Sequence, residues 1–353
     1  MPATALTLTY ESILSTTLMN VKKSLEDNIA TSTAFLFYLM RRSEGGYVSV
    51  SSLGERAQFP LMYQLGSADS YSGYDTLGTT PVEGITSAFY NWRQAAVPIT
   101  ISRLEERQNA GENQILPLLK AKTKQALLTI QDFYSKALLR GNGGANIRTA
   151  YTSVSNGSLF LDPLPLVVDY DPTGSRTIGS INQSTAGNEF WRNQTLNDTS
   201  TTFAGLLKNM AKAHNDCSKG AGGSPNLAVT DQNVFEVYEA ALRVNHRNTS
   251  WENADIPFEN FRFRGKTITW DEHVPDAQGV SATQSTTSGT WYNLNTKFLQ
   301  IQYDAETNWT TTEFQKPVNQ DAKVAHIQWM GALGCNNRRK QGVIGGIDTT
   351  ITS

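Results

Sequence analysis

The sequence predicts an α+β fold organised as two or three compact units. The chain has 353 residues, which is too long for a single ordinary hydrophobic core. One long segment places apolar residues at helical spacing, whereas other segments alternate apolar and polar residues as strands do. With 39% apolar and 18% charged residues, the composition is that of a globular protein with a sizeable core.

Residues 1–42 form a predicted N-terminal arm. Within residues 10–42 the apolar side chains recur at spacings of three and four, which predicts an amphipathic helix. An apolar stretch, Phe35 to Met40, follows that helix. The residues that carry the spacing are Ile13, Leu14, Leu18, Val21, Leu25 and Ile29.

Residues 43–102 are predicted to form a long hairpin. Its arms run from Tyr47 to Leu65 and from Ile85 to Ile101, and a Gly-, Ser- and Thr-rich stretch separates them. Pro60 and Pro98 exclude both arms from the centre of a sheet. A two-stranded hairpin is marginal alone in water, so the rest of the chain or another copy must cover its apolar face.

Residues 103–200 open with the clearest single element, a helix over about residues 112–140. Pro117 suits its first turn, and Gly141 ends it. Lys122 alone interrupts its main apolar stripe. That stripe comprises Ile115, Leu119, Ala126, Ile130, Phe133 and Ala137, widened by Leu118, Leu127, Tyr134 and Leu138. Residues 145–200 are expected to contain short strands and loops, with Trp191 in the core.

The sequence pattern of residues 201–316 predicts an α/β unit. Helices are expected from Phe203 to Lys219 and from Gln232 to Arg243, with Asp231 as the N-cap of the second. The predicted strands of this unit are Asn226–Val229, Phe261–Phe263, Thr267–Trp270 with Trp270 in the core, and Tyr292–Tyr303.

Residues 317–353 predict a closing strand from Val324 to Cys335 and then a loose tail, Gly345 to Ser353. Between them, Arg338, Arg339 and Lys340 form the densest basic cluster of the chain. The cluster could meet phosphate by charge alone, or it could be a solvated surface or a subunit contact.

Charge and cysteine content narrow the classes of function. A net charge of −2 excludes a polycation, so any contact with DNA is expected to be local and weak. Two cysteines are too few for a disulfide framework and suit a reducing cytoplasm. We expect no secretory signal, because the chain does not open with a positively charged segment, an apolar stretch and a small-residue cleavage site. We expect no membrane contact, because the longest apolar run, Ala34 to Met40, is far shorter than a bilayer span.

The reactive side chains of the sequence form no recognisable catalytic, cofactor-binding or metal-binding constellation, and we expect none in the folded chain. Asp169 and Asp171 resemble a paired-carboxylate site, which leaves a metal-dependent enzyme as an alternative. Pro172, Thr173 and Gly174 behind them favour a strand followed by a turn.

Contacts between subunits are the more promising kind of site. Tyr71, Tyr74 and Asp75 place aromatic and acidic side chains near the hairpin tip, which is typical of a contact surface. Four charged residues that could form pairs and set register complete the candidate contacts: Glu55, Arg56, Arg93 and Glu105.

The order of these elements, together with several short sequences, resembles the Hong Kong 97 type of tailed-phage major capsid protein over nearly the whole chain. The similar sequences are Tyr71–Asp75, Pro98–Ser102 leading to Glu105, Phe190–Gln194, and Pro317–Val324 running into Cys335–Val343. No single one of these sequences is diagnostic of the family, but their order along the chain is.

The resemblance implies a non-enzymatic shell protein that forms hexamers and pentamers of an icosahedral head around double-stranded DNA. It implies an E-loop at 43–102, a peripheral domain at 103–200, an axial domain at 201–316 and a return to the peripheral domain at 317–353. Implied partners are a separate scaffolding protein, a portal, a decoration protein in some phages, and packaged DNA in non-specific contact. The protein would assemble in the host bacterial cytoplasm and reside in the virion.

An encapsulin-type nanocompartment shell, which has a similar fold, is the other alternative. One departure from some family members is chemical: no lysine lies between Arg42 and Leu119. The Lys-to-Asn linkage that those members form from the E-loop therefore has no amine nucleophile here.

Overall fold

A computed structural model describes residues 34–41, 46–51, 54–108, 118–141, 159, 161–245, 262–274 and 288–351. The predicted helix before residue 34, Pro117 and the segment 145–158 lie outside the described residues. The chain divides into two compact units. Among the described residues, the first unit comprises those within 95–132 and 309–329, and the second comprises those within 34–94, 133–308 and 330–351.

Six α-helices occur among the described residues: α1 (Ala34–Arg41), α2 (Arg103–Gln108), α3 (Leu118–Arg140), α4 (Leu164–Val167), α5 (Phe203–Ser218) and α6 (Gln232–Asn245). The strands of the same part of the chain are β1 (Gly46–Val50), β2 (Ala57–Met62), β3 (Ile85–Tyr90), β4 (Arg93–Ser102), β5 (Thr177–Ile178), β6 (Ile181–Asn182), β7 (Gln194–Asn197), β8 (Leu227–Thr230), β9 (Arg262–Phe263), β10 (Lys266–Trp270), β11 (Ser288–Leu294), β12 (Leu299–Asp304), β13 (Thr310–Thr311), β14 (Ala322–Cys335) and β15 (Gly342–Asp348). Short 3₁₀ helices occupy Glu189–Trp191 and Arg338–Lys340.

The first unit combines the early part of α3 with paired strands. β4 pairs with β14, and β13 pairs antiparallel to β14 with Thr310 opposite Gln328. Lys122 interrupts the apolar stripe of α3 because its Nζ has polar partners, the carbonyl oxygen of Thr100 at 2.9 Å and Oε2 of Glu105 at 2.8 Å.

The second unit contains a six-stranded mixed sheet in the order β7-β15-β11-β8-β10-β9. Helices α5 and α6 bury their apolar faces in a core with this sheet, as their amphipathic spacing requires. That core contains Phe203, Leu206, Met210, Ala213, Ala228, Val234, Val237, Tyr238, Ala241, Ile268, Trp291, Ile344, Ile347 and Ile351. In the same unit β1 pairs parallel to β12, and β12 pairs antiparallel to the end of β14.

Most elements of the predicted α/β region are confirmed, but the predicted strand Tyr292–Tyr303 is two strands, β11 and β12, which belong to different sheets. Helices α5 and α6 begin at the predicted residues, and the backbone N–H of Val234 donates to Oδ2 of Asp231 at 3.2 Å, as an N-cap requires. β9 and β10 form the predicted antiparallel pair, and β14 covers the predicted closing strand. Trp191 is in the core, as predicted.

Several sequence expectations were wrong. The first hairpin arm is shorter than predicted, because β1 joins β12 and only β2 pairs with β3. The second arm ends at Tyr90, after which β4 pairs with β14. The tail is not loose, since β15 lies inside the six-stranded sheet.

Three apolar residues assigned to the buried side are also more exposed than predicted. Leu119 and Phe133 of α3 are 49% and 39% exposed, and Trp270 at the end of β10 is 36% exposed. No helix in the described part of the chain is both long and apolar enough to span a membrane.

Candidate functional site

The base of the hairpin β2–β3 is packed into the second unit. Alternate residues of β2 point into the core, as strand geometry dictates for a sheet with one covered face. The hydroxyl of Tyr90 donates to the carbonyl oxygen of Cys335 at 3.1 Å, which joins the hairpin base to β14. The buried cluster consists of Ala57, Phe59, Leu61, Ala88, Tyr90, Ile178, Trp191 and Ala332.

Two glycines allow the hairpin base to approach the rest of the unit closely. A Cβ at Gly334 would lie 2.3 Å from the ring of Phe59, so no larger residue fits there without movement. Gly179 has a φ of +59°, and a Cβ on it would lie 2.9 Å from Cβ of Ala88. The N–H of Phe89 also donates to the carbonyl oxygen of Gly179 at 3.0 Å. The base is therefore a fixed platform.

The hairpin tip, residues 64–83, is exposed at every position. A tight turn closes it: the N–H of Asp75 donates to the carbonyl oxygen of Ser72, and the N–H of Ser72 donates to Oδ2 of Asp75, both at 2.8 Å. The turn presents Tyr71 and Tyr74 to solvent. The chain's own fold thus holds the base and leaves the tip uncovered.

The exposed tip is rich in apolar side chains and acidic. Its large exposed apolar residues are Leu65, Tyr71, Tyr74, Leu77 and Val82. From Ala57 to Trp92 the sequence carries three acids, Asp69, Asp75 and Glu83, and no lysine or arginine. Apolar side chains concentrated on an exposed extension are typical of an interaction surface.

The predicted charged contact residues have different environments. Glu55 and Arg56 are exposed, and Oε1 of Glu55 lies 3.7 Å from Nε of Arg56, so they form a local ion pair on the surface. Arg93 is largely buried, with its Nη2 3.9 Å from Oδ1 of Asp162. Arg93 therefore has an ionic partner within its own unit.

Glu105, the last predicted contact residue, also has partners in its own unit. Its Oε2 accepts from Nζ of Lys122 at 2.8 Å and from the N–H of Ser102 at 3.1 Å. The bond to Lys122 is the main cause that lowers the pKa of Glu105 below its ordinary value. Because the pair is partly exposed, solvent screening limits its contribution to stability.

The first turns of helix α3 carry positive charge, opposite in sign to the acidic hairpin tip. Lys120 and Lys124 are exposed on its first turns, and the apolar side chain of Leu119 is half-exposed beside them. These three residues form a surface that is both basic and apolar, which we call the α3 basic surface.

The C-terminal basic cluster is not the phosphate-facing surface that its sequence allowed. Arg338 and Lys340 are buried, and only Arg339 is exposed. The guanidinium of Arg338 donates to four acceptors, which explains how a buried cation is tolerated. The acceptors are the carbonyl oxygens of Val167 (2.7 Å) and Trp191 (2.8 Å), Oε1 of Gln183 (3.0 Å) and Oδ1 of Asn193 (2.9 Å).

Lys340 binds backbone carbonyl groups of the glycine-rich loop that follows α5. Its Nζ donates to the carbonyl oxygens of Lys219 and Gly220, both at 3.0 Å, and to those of Ser218 and Gly223 at longer distances. These groups follow the C-terminal end of α5, where carbonyls lack intrahelical donors and a cation is favourable. Both buried cations thus have structural roles.

The paired carboxylates Asp169 and Asp171 do not converge on an open site. Asp169 is buried, and its Oδ1 lies 2.7 Å from Nη1 of Arg176. Its other oxygen accepts from Nε2 of Gln183 at 2.9 Å. Oδ1 of Asp171 accepts from the hydroxyl of Thr173 at 2.9 Å, as in the predicted turn. This arrangement does not favour the metal-dependent alternative.

The buried Arg338 network is the feature that sequence reasoning missed, although a signal for it existed. Two of the segments that resemble the capsid family, Phe190–Gln194 and Cys335–Val343, contact each other through this network. The N–H of Gln194 also donates to the carbonyl oxygen of Gln341 at 3.0 Å. These two segments, which lie far apart in the sequence, are thus held together by buried hydrogen bonds.

Comparison with known proteins identifies the fold. No protein-family model and no curated protein sequence matches the chain. Solved structures do match over nearly the full length of both chains. The capsid of Myoviridae phage XM1 has a TM-score of 0.58 at 12% identity and covers 94% of this chain and 98% of its own.

Two further structures agree with the first. The cyanophage A-1(L) capsid has a TM-score of 0.61 at 11% identity, covering 93% of this chain and 96% of its own. The capsid of a native GTA particle has a TM-score of 0.56 at 9% identity, covering 93% and 95%. The chain therefore has the fold of tailed-phage capsid proteins, the Hong Kong 97-like fold expected from the sequence.

Proposed function

We propose that this chain is a major capsid protein that self-associates into the icosahedral head of a tailed bacteriophage. The observation that carries the proposal is the hairpin tip, a uniformly exposed and partly apolar extension on a rigidly packed base. In a monomer the apolar side chains of such an extension stay exposed to water, whereas in a shell they can be buried against a neighbouring subunit. Many moderate contacts of this kind add up through multivalency.

We infer that the partner of the hairpin tip is the α3 basic surface of a second copy. The tip carries three acids and no basic residue, whereas Lys120 and Lys124 are exposed on the helix. Complementary charges would set the register of the contact, and burial of Leu119 against apolar tip residues would supply affinity. Tyr71, Tyr74 and Asp75 are the proposed centre of this interface.

The family likeness supports the finer assignments. Residues 43–102 contain the E-loop, with β2 and β3 as its paired base, whereas β1 and β4 pair with strands outside the hairpin. The peripheral domain spans residues 103–200 and 317–353 except for β7 and β15, which belong with residues 201–316 to the axial domain because they lie in its six-stranded sheet. A separate scaffolding protein, a portal and a decoration protein are the proposed partners, and the mature protein resides in the virion around double-stranded DNA. The role is structural, without catalysis.

Electron microscopy of the expressed chain tests this function. We expect closed shells of hexamers and pentamers when the chain is produced with its scaffolding protein. A product that stays monomeric under all assembly conditions would contradict the proposal, and shells filled with an enzyme cargo would favour the nanocompartment.

Charge reversal tests the proposed interface. Asp75→Lys with Glu83→Lys is expected to abolish assembly, and adding Lys120→Glu with Lys124→Glu is expected to restore it, because the complementary pairing returns with reversed sign. Glu313→Lys, an exposed change of the same sign elsewhere, is the matched control and should assemble normally. Failure of the fourfold variant to regain assembly would reject this docking site.

A further inference from the structure

A lysine is enclosed among aromatic rings in the second unit. Lys266 begins β10 and has no solvent exposure. Its Nζ lies 4.9 Å from the ring centroid of Phe263 and 5.3 Å from that of Trp291. Burial lowers the pKa of this amine to about 7, so a large neutral fraction exists near neutral pH. A neutral amine is a nucleophile, whereas an ammonium ion is not.

The partner of this amine is a side-chain amide. Oδ1 of Asn293 accepts hydrogen bonds from Nζ of Lys266 and from Nε1 of Trp291, the latter at 3.0 Å. Two donors on one carbonyl oxygen polarise the carbonyl and stabilise negative charge on that oxygen. Nδ2 of Asn293 is buried and has no hydrogen-bond partner among the described atoms. An unpaired buried donor is energetically unfavourable.

The two residues lie on either side of one strand. β8 is paired with β10 on one edge and with β11, which carries Asn293, on the other. Leu227 of β8 is opposite both Thr267 and Leu294, the residues next to Lys266 and Asn293. The two side chains therefore meet across the first residue of β8.

We propose that Lys266 and Asn293 react with each other to form an isopeptide bond within the chain. Nζ attacks Cγ of Asn293, and the developing oxyanion on Oδ1 keeps the hydrogen bond from Trp291. A proton passes from Nζ to Nδ2, the Cγ–Nδ2 bond breaks, and ammonia leaves. The step requires no oxidant and no cofactor, and burial excludes competing water.

Several features of the pocket assist this reaction. The unpaired Nδ2 has no hydrogen bond among the described atoms that would resist its departure. Positive charge on Arg264 lowers the pKa of Lys266 further, whereas Cys217 acts in the opposite direction. The charge of Lys266 acts in turn on His214. The bond would join β10 to β11 across β8 and prevent these strands from separating. The proposal does not depend on shell formation.

Intact-mass measurement of the denatured, purified full-length chain tests the proposal. We expect the mass to be lower than the sequence mass by one ammonia molecule. Lys266→Met should show the full sequence mass, whereas Lys297→Met, an exposed lysine nearby, should still lose ammonia. A wild-type mass equal to the sequence mass after prolonged incubation of folded protein would overturn the proposal.

Peptide mapping of the wild type removes the dependence on a folded variant. We expect one branched tryptic peptide that joins Lys266 to Asn293, without cleavage after Lys266. Asparagine can also lose ammonia by cyclising onto its own backbone. Loss of ammonia that persists in Lys266→Met, or a cyclised Asn293 without the branched peptide, would reject the cross-link.

Discussion

Nη2 of Arg338 lies 2.9 Å from Oδ1 of Asn193, although 145 residues separate them in the chain. The same amide of Asn193 donates from Nδ2 to the carbonyl oxygen of Asp169 at 2.6 Å. Arg338 and Asp169 are thereby connected through one buried asparagine. This network joins the segment that follows β14 to the segment that contains Trp191, which also packs under the hairpin base.

Arg338→Met is expected to lower the free energy of unfolding by at least about 3 kcal/mol. The substitution leaves four acceptors of Arg338 without their donor in a buried environment. Arg339→Met is the matched control, because Arg339 is adjacent and exposed, and should change stability by less than about 0.5 kcal/mol. Urea unfolding of the unassembled subunits measures both. Equal effects of the two substitutions would show that the network contributes little.

His214 is expected to make stability depend on pH. Burial is the main cause that lowers its pKa from 6.5 to about 4, and positive charge on Arg264, and on Lys266 while its amine is free, adds to the effect. Between those pH values the unfolded chain binds a proton that the folded chain does not. Stability therefore rises with pH across this window and falls on acidification, by at most about 3 kcal/mol.

Replacement of the imidazole tests this dependence. His214→Gln should flatten the stability curve between pH 4 and pH 6.5 relative to the wild type, as measured by urea unfolding at a series of pH values. His326→Gln, an exposed substitution on β14, is the control and should leave the curve unchanged. A His214→Gln curve that superimposes on that of the wild type would contradict the prediction.

The sequence predicted the helices and strands better than it predicted which charged side chains are buried. Apolar periodicity depends on neighbouring residues, so α5, α6 and the β2–β3 pairing could be predicted from local patterns. The burial of Arg338 depends on acceptors at least 145 residues away, which no local pattern reveals. The same limit applies to Lys266, whose partner Asn293 comes from a later strand.

Removal of residues 66–80 is expected to leave a folded subunit that cannot assemble. The segment lies within the exposed tip and outside the buried cluster of the hairpin base, so its loss should not expose the core. Circular dichroism during thermal unfolding should show a cooperative transition like that of the wild type, whereas electron microscopy should show no shells. Non-cooperative unfolding of the shortened chain would instead assign the tip a role in folding.

Mature particles are expected to contain no covalent links between subunits. Residues 43–119 contain no lysine, and the guanidinium groups of their arginines stay protonated and non-nucleophilic. Cys217 and Cys335 are both buried, so neither is available to a neighbour. Cohesion must then come from apolar burial at about 25 cal/mol per Å². Boiling particles in denaturing detergent should return one band near 38.9 kDa, with or without reductant, and a Lys266–Asn293 bond within the chain would not change this. A surviving ladder of subunit multiples would refute the prediction.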